Sequence, residues 1–379
     1  MRQPTLLIIA DDLTGANDTG VQFARQGIST LVGINQEIPL TNFVENCEVL
    51  VMNTESRHVT PDEAYARVFR LAQQGVGLGI PYFYKKIDST LRGNTGSELA
   101  ALLAATNERE LFFAPAYPKL NRTTKSGMQF VEGVPLHLSS FSDDQLNPIF
   151  SSHLATILEQ QTKVKIEIFD EQNFQSSVPT VPTIYVLNAA CDEDLQKHAQ
   201  RIAPHSRLLA GSAGWAACLP VALHFTTKAI SRTPLSSPML IVNGSLHENS
   251  LRQIEYAAQH GVPVVKLNST QGHQQFNFSD RLILTTENTS HDPNVAEKLA
   301  QQVQQILSRT EVKTLVVFGG DTLAAIAQTL HWEGFRPHYE IFDGIPIVKI
   351  CEAEELTLVT KAGGFGELDL LMKLIVGSE

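Results

Sequence analysis

The sequence predicts an α/β protein of two α/β domains, each with a mostly parallel or mixed sheet, and three observations predict it. Short apolar runs alternate with helical stretches throughout the 379 residues, which is the pattern of βαβ units. Runs such as LLIIA at 6–10 have no polar member, as expected of strands buried on both faces of a parallel sheet. The texture breaks at 226–238, TTKAISRTPLSSP, which lacks apolar periodicity and is rich in Ser, Thr and Pro. That stretch reads as a linker between a domain at 1–225 and a second at 239–379, and the chain is too long for one typical core.

The first domain's predicted strands are 6–10, 49–53, 82–87, 111–114, 163–169, 184–187 and 208–211. Helices are predicted over 61–74, 97–105 and 192–202, the first capped by Thr60 with Pro61 at its first position. A helix also follows the first strand, with Ala16, Gly20, Phe23, Ala24 and Gly27 along one stripe. Beyond the linker, strands are predicted over 239–242, 262–267, 282–285, 314–318, 345–350 and 356–360. Helices there fill 249–259, 293–308 and 322–330.

The net charge of −11 argues against a nucleic-acid partner, because phosphate backbones attract basic surfaces. Cys47, Cys191, Cys218 and Cys351 are too scattered for a zinc or redox motif and fit a reducing compartment. No run approaches a membrane span and none resembles a signal peptide, so a cytoplasmic protein is expected. Of the histidines, His137 and His247 read as hydrogen-bonded or surface groups, and Trp215 and Trp332 as packing residues.

Chemistry concentrates at strand ends. Asp11 and Asp12 follow the first strand directly, at the edge where open α/β sheets bind ligands, and can take protons or hold a metal. KKIDSTLRGN at 85–94 brings Lys86, Asp88, Arg92 and Asn94 to another strand end, where Arg92 could fork onto a carboxylate and Lys86 supply point charge. A third strand end offers Thr54 and Arg57, and a fourth Arg122. One such loop could be merely solvated, but several polar, basic strand ends together point to an acidic ligand. In the second domain, Gly319, Gly320, Asp321 and Thr322 lie between a strand and a helix, where glycine admits a phosphate and the helix supplies amide donors. Gly244–Ser245 and Gly363–Gly364 repeat the style. One glycine loop is more often a tight turn; three in one domain suggest nucleotide binding.

The chain resembles the four-carbon acid sugar kinases, long described as a domain of unknown function. The likeness spans nearly the whole length and is carried by ADDLTGAND (10–18), KKIDSTLRGN (85–94), PAYPKLNRTT (115–124), GSAGWA (211–216), GS (244–245), GGDT (319–322) and KAGGFG (361–366). The resemblance implies a substrate domain followed by a nucleotide domain, an active site in the interdomain cleft, and phosphate transfer from ATP to the 4-hydroxyl of a tetronic acid. It also implies that Ser245, the GGDT loop and Gly363 contact ATP, while Asp12, Arg57, Asp88 and Arg92 face the sugar acid. The family often has glycine at Asn121, glutamate at Asp321 and serine at His247 and Ala362. Its members divide among threonate, erythronate and 3-oxo-tetronate, and nothing in the motifs selects one.

The expected reaction is in-line transfer with Mg²⁺ bridging the phosphates. Asp12 or Asp88 would accept the hydroxyl proton, and Arg57 and Arg92 would fix the substrate carboxylate. A homodimer is the prior expectation. One rival is a non-catalytic sensor of a sugar acid and a nucleotide. A second is an aspartate-dependent phosphatase, which wants another acid two residues after its nucleophile; Leu13 and Thr14 stand there instead.

Overall fold

The computed structural model describes residues 3–35, 37–44, 47–139, 141–142, 147–169, 179–232, 234–267, 280–286 and 294–376. The chain divides into two compact units between Ala229 and Ile230. Within the predicted linker Thr233 lies outside the described residues, as does Pro293, the predicted start of a helix.

The first unit carries strands β1 (Leu6–Ala10), β2 (Thr30–Gly33), β3 (Val49–Asn53), β4 (Tyr82–Lys86), β5 (Glu110–Ala114), β6 (Arg122–Lys125), β7 (Met128–Val131), β8 (Val134–Pro135), β9 (Lys165–Ile168), β10 (Thr183–Val186) and β11 (Leu208–Gly211). Its helices are α1 (Leu13–Ala24), α2 (Pro61–Gly77), α3 (Thr95–Thr106), α4 (Leu154–Glu159), α5 (Asp192–Ile202), α6 (Ala213–Ala216) and α7 (Leu219–Ala222). The main strands run in the order β2-β3-β1-β4-β11-β5-β10-β9, all pairs parallel. Strand order reverses at β1, whose neighbours are β3 and β4, so the carboxyl ends of these three strands flank a switch point.

Local rules explain the elements. α2 starts where the Thr60 hydroxyl accepts from the Glu63 N–H, with Pro61 in the first turn and Asp62 and Glu63 complementing the helix dipole. It buries Ala64, Val68, Leu71, Ala72 and Gly75. Gly75 has to be small: a Cβ there would lie 2.7 Å from Leu7 and 2.8 Å from Phe83.

Three expectations are corrected. α1 has no single stripe, because all 12 of its residues are buried, and Gly27 stands beyond its end in a left-handed turn. The polar stretch at 121–125 is not a loop after β5 but the start of a small antiparallel sheet, β6-β7-β8. Its turns are Ser126-Gly127 and Glu132-Gly133, all four residues at positive φ, which is the two-residue hairpin geometry that matches strand twist. β2 also goes unread, being short and ending in glycine.

The second unit holds β12 (Met239–Asn243), β13 (Val264–Leu267), β14 (Arg281–Thr286), β15 (Thr314–Phe318), β16 (Gly334–Phe342), β17 (Ile345–Ile350) and β18 (Ala353–Lys361), with helices α8 (Glu248–Gln259), α9 (Val295–Leu307), α10 (Gly320–Thr329) and α11 (Leu370–Val376). Strands β13-β14-β12-β15-β18 are parallel, and β17 and β16 continue antiparallel. β16 is unexpected from sequence because Pro337 interrupts it; the strand absorbs the proline at a register shift. Met239, Ile241, Ile283, Val316, Phe318, Ile347, Val359 and Leu374 lie in its core. The order turns at β12 and β15, so the loops after β12, β15 and β18 share one edge.

Candidate functional sites in the two units

In the first unit, Arg57 gathers the acids at the end of β1. Its Nε donates to Asp11 Oδ2 at 2.7 Å and its Nη1 to Asp12 Oδ2 at 2.8 Å. Asp12 also caps α1, its Oδ1 accepting from the Gly15 N–H at 2.8 Å. A Cβ at Gly15 would lie 2.5 Å from Asp12 Oδ1 and 2.9 Å from Lys86 Nζ, so a side chain there would displace both groups. The same contacts put the Lys86 ammonium beside the Asp12 carboxylate. Asp11 is 3% exposed and Asp12 18%, so Asp12 is the more open of the pair. Burial pushes the Asp11 carboxyl up, but Arg57, Lys85 and Lys86 outweigh it and hold it below the usual carboxylate range. The buried Asp11 Oδ1 has no hydrogen-bond partner among the described residues.

The β4 loop supplies the second group. Asp88 Oδ2 accepts from Thr90 Oγ1 at 2.6 Å and from Arg92 Nε at 2.5 Å. Burial opposes the charge on Asp88, yet Arg92 and then Arg57 keep its pKa far below the ordinary value. Gly93, at φ +93, lets the loop pass over Arg57, whose Cγ would be 3.2 Å from an added Cβ. Asn94 donates to the carbonyls of Ser56 at 2.8 Å and Val59 at 2.9 Å, which fixes the backbone on either side of Arg57.

Thr54 and Asn94 therefore lie one layer below the acids. Thr54 is fully buried; its hydroxyl meets Ala10 O at 2.7 Å and Ser56 Oγ at 2.6 Å. Ser56 continues to Glu98, and Glu98 pairs with Lys85 Nζ at 3.1 Å with both side chains buried. Sequence reasoning missed this support. Its signal was present: successive strand residues face opposite ways, so Lys85 and Lys86 reach opposite sides of β4. Arg122 stands on β6, donating to Leu120 O at 2.5 Å with its guanidinium over Phe141; burial pushes its pKa down, and it is near enough to Asp88 and Arg92 to feel both charges. Gln129 ties that small sheet to the β4 loop through Ser89 O at 2.8 Å.

In the second unit the three glycine loops converge. A Cβ on Gly244 would collide with Thr322 Oγ1, and one on Gly363 would lie 2.5 Å from Ser245 Oγ and 2.9 Å from His247 Cβ. Gly319, at φ +103, precedes α10 without a side-chain cap, and a Cβ there would be 3.6 Å from Ser245 N. The first-turn N–H groups of α10 thus open beside Gly244 and Ser245, as an anion site requires. Asp321 is exposed in that turn. Gly364 lies against His247, which caps α8 by accepting from Asn249 N at 3.1 Å. Lys361, Asn249 and Gln253, unread in the sequence, hold the last loop from beneath.

Among the described residues no group of three or more His, Cys, Asp or Glu is placed to hold a metal ion, and no helix is long and apolar enough to cross a membrane. The four cysteines are free thiols.

Residues 6–219 match the model of a sugar-binding N-terminal domain and residues 268–371 that of a nucleotide-binding C-terminal domain. A D-threonate kinase of Salmonella typhimurium is 31% identical, with 95% of each chain covered. A 3-oxo-tetronate kinase of Haemophilus influenzae is 25% identical over 96% of this chain and 97% of its own. A crystal structure of a Haemophilus influenzae protein assigned to a domain of unknown function superposes with a TM-score of 0.71 at 22% identity, covering 98% of both chains, which shows a common fold.

Proposed function

The chain belongs to the four-carbon acid sugar kinases and is a kinase of such acids, and on that premise we propose that its first unit holds the acid and its second unit the ATP. The observation that carries this division is chemical. The β1, β3 and β4 ends gather Asp11, Asp12, Arg57, Lys86, Asp88 and Arg92, whereas the β12, β15 and β18 ends gather Ser245, Gly319–Thr322 and Gly363–Gly364.

Asp12 is the group we assign to accept the 4-hydroxyl proton. It is the more open of the acids that Arg57 holds, and the clamp by Gly15 and Arg57 fixes its direction. Asp88 suits a different role, because a carboxylate with so low a proton affinity is a poor base and a good anchor for Arg92. Lys86 and Arg92 would meet the substrate carboxylate. Arg57 contributes less to the ligand, because its Nε and Nη1 are engaged on Asp11 and Asp12. The amides of the α10 first turn, with Ser245, Gly363 and Gly364, would receive the phosphates. Asp321, the exposed carboxylate of that turn, would share a Mg²⁺ ion brought by the nucleotide, which would neutralise phosphate charge. Positioning and charge stabilisation would supply most of the rate. A two-fold homodimer is the assembly we expect.

The test is ATP consumption against D-threonate, D-erythronate and 3-oxo-tetronate, with Asp12→Asn alongside. Turnover should fall by a factor of about 10²–10⁴ in the variant while ATP affinity holds. Near-normal turnover would remove Asp12 from the proton transfer.

A further inference from the structure

The backbone after β18 turns its carbonyls one way. Those of Ala362 and Gly363 accept from Lys361 Nζ at 3.2 and 2.9 Å, and Ser250 Oγ also donates to Gly363 O at 2.8 Å. Asn249 Nδ2 takes the carbonyls of Gly364, Phe365 and Gly366 at 3.3, 3.2 and 2.9 Å. Gln253 Nε2 adds Phe365, Gly366 and Glu367 at 3.1, 3.0 and 2.8 Å. Every carbonyl from 362 to 367 is therefore engaged by a side chain of α8 or by Lys361. The N–H groups of Gly363 and Gly364 enter no hydrogen bond among the described residues; Ser245 and His247 lie against Gly363, and His247 against Gly364.

Lys361 is the unusual member of this arrangement. It is 1% exposed, its ammonium lies 4.2 Å from the centroid of the Phe318 ring, and it donates to Ser250 Oγ at 3.0 Å. Its three donors thus have three acceptors, but no carboxylate pairs with it among the described residues. Burial pushes its pKa down to about 7, the behaviour of a cation without a counter-charge. An anion received by the unbonded Gly363 and Gly364 amides would supply the counter-charge that Lys361 lacks.

We infer that Lys361 is a positioning residue for the polyphosphate of the nucleotide: it locks the Ala362 and Gly363 carbonyls, aims the Gly363 and Gly364 amides, and supplies positive charge beneath the bound phosphates. This rests on the assignment of ATP to the second unit.

Calorimetric titration of the full chain tests it with ATP, AMP and D-threonate as ligands. Lys361→Met should weaken ATP about tenfold or more and AMP by much less, because the lost charge acts on each phosphate. D-threonate affinity should stay at the wild-type value, and Lys361→Arg, which keeps the charge, should recover most of the ATP affinity. If Lys361→Met binds ATP within twofold of wild type, or weakens ATP and AMP equally, the inference is overturned. Should that variant fail to fold, Ser250→Ala removes one of the acceptors that hold the ammonium and should weaken ATP about threefold; unchanged affinity there also overturns it. Wild-type protein that binds D-threonate but no ATP would instead sink the nucleotide assignment itself.

Discussion

Gly363→Ala isolates the nucleotide loop with a single methyl group. The φ of Gly363 is not left-handed, so alanine is compatible with the backbone and the effect is one of space. The new Cβ would lie 2.5 Å from Ser245 Oγ, and that hydroxyl can rotate away. It would also lie 2.9 Å from His247 Cβ, which is fixed to the main chain, so the backbone of one loop has to shift. Overpacking of this kind costs about 1–3 kcal/mol, which corresponds to about 5- to 150-fold in affinity if the strain falls on the bound state. Titration with ATP and with D-threonate reads the two sites separately. Weaker ATP with unchanged D-threonate is the expected result. A folded variant that binds ATP within twofold of wild type would refute the convergence of the loops after β12 and β18 on the nucleotide.

Two further outcomes follow from the buried charges of the first unit. Glu98→Gln takes from Lys85 the one carboxylate it pairs with directly among the described residues, leaving only the more distant Asp11, so urea unfolding should show a loss of about 3 kcal/mol; a loss below about 0.5 kcal/mol would mean the pair carries little of the site's support. Asp88 has a folded pKa far below its unfolded value, so its stabilising contribution is complete above the ordinary aspartate value of about 3.9 and disappears as pH falls further. The stability gap between wild type and Asp88→Asn should stay level from pH 7 to pH 5 and close below pH 4 in urea titrations. A gap that closes already between pH 7 and pH 5 would contradict the low proton affinity.

Strand ends were legible in the sequence because chemistry there interrupts apolar runs: Asp11 and Asp12 stand out after LLIIA as Gly319 and Gly320 do after TLVVF. The α2 start was equally plain, since Thr60, Pro61 and Glu63 spell a cap. What escaped was partnership across sequence distance. Glu98 looks like an ordinary first-turn acid, and only the fold brings it to Lys85, Ser56 and the underside of Asp11. Asn249 and Gln253 fall in the predicted 249–259 helix with nothing local to mark them, yet they hold the carbonyls of residues more than 110 positions later. β6–β8 were missed for a different reason: Arg122, the two threonines and Lys125 resemble a loop, and the positive-φ pairs Ser126-Gly127 and Glu132-Gly133 were the turn signals to follow.

Hydrogen–deuterium exchange of the full chain, with a non-hydrolysable ATP analogue or D-threonate added separately, tests the division of labour most directly. The analogue should slow exchange at Ser245, Gly319–Thr322 and Gly363–Gly364, and the acid at Asp11–Asp12, Arg57 and the loop from Asp88 to Arg92. Protection of Asp11 and Asp12 by the nucleotide alone, with Gly319–Thr322 unchanged, would contradict it.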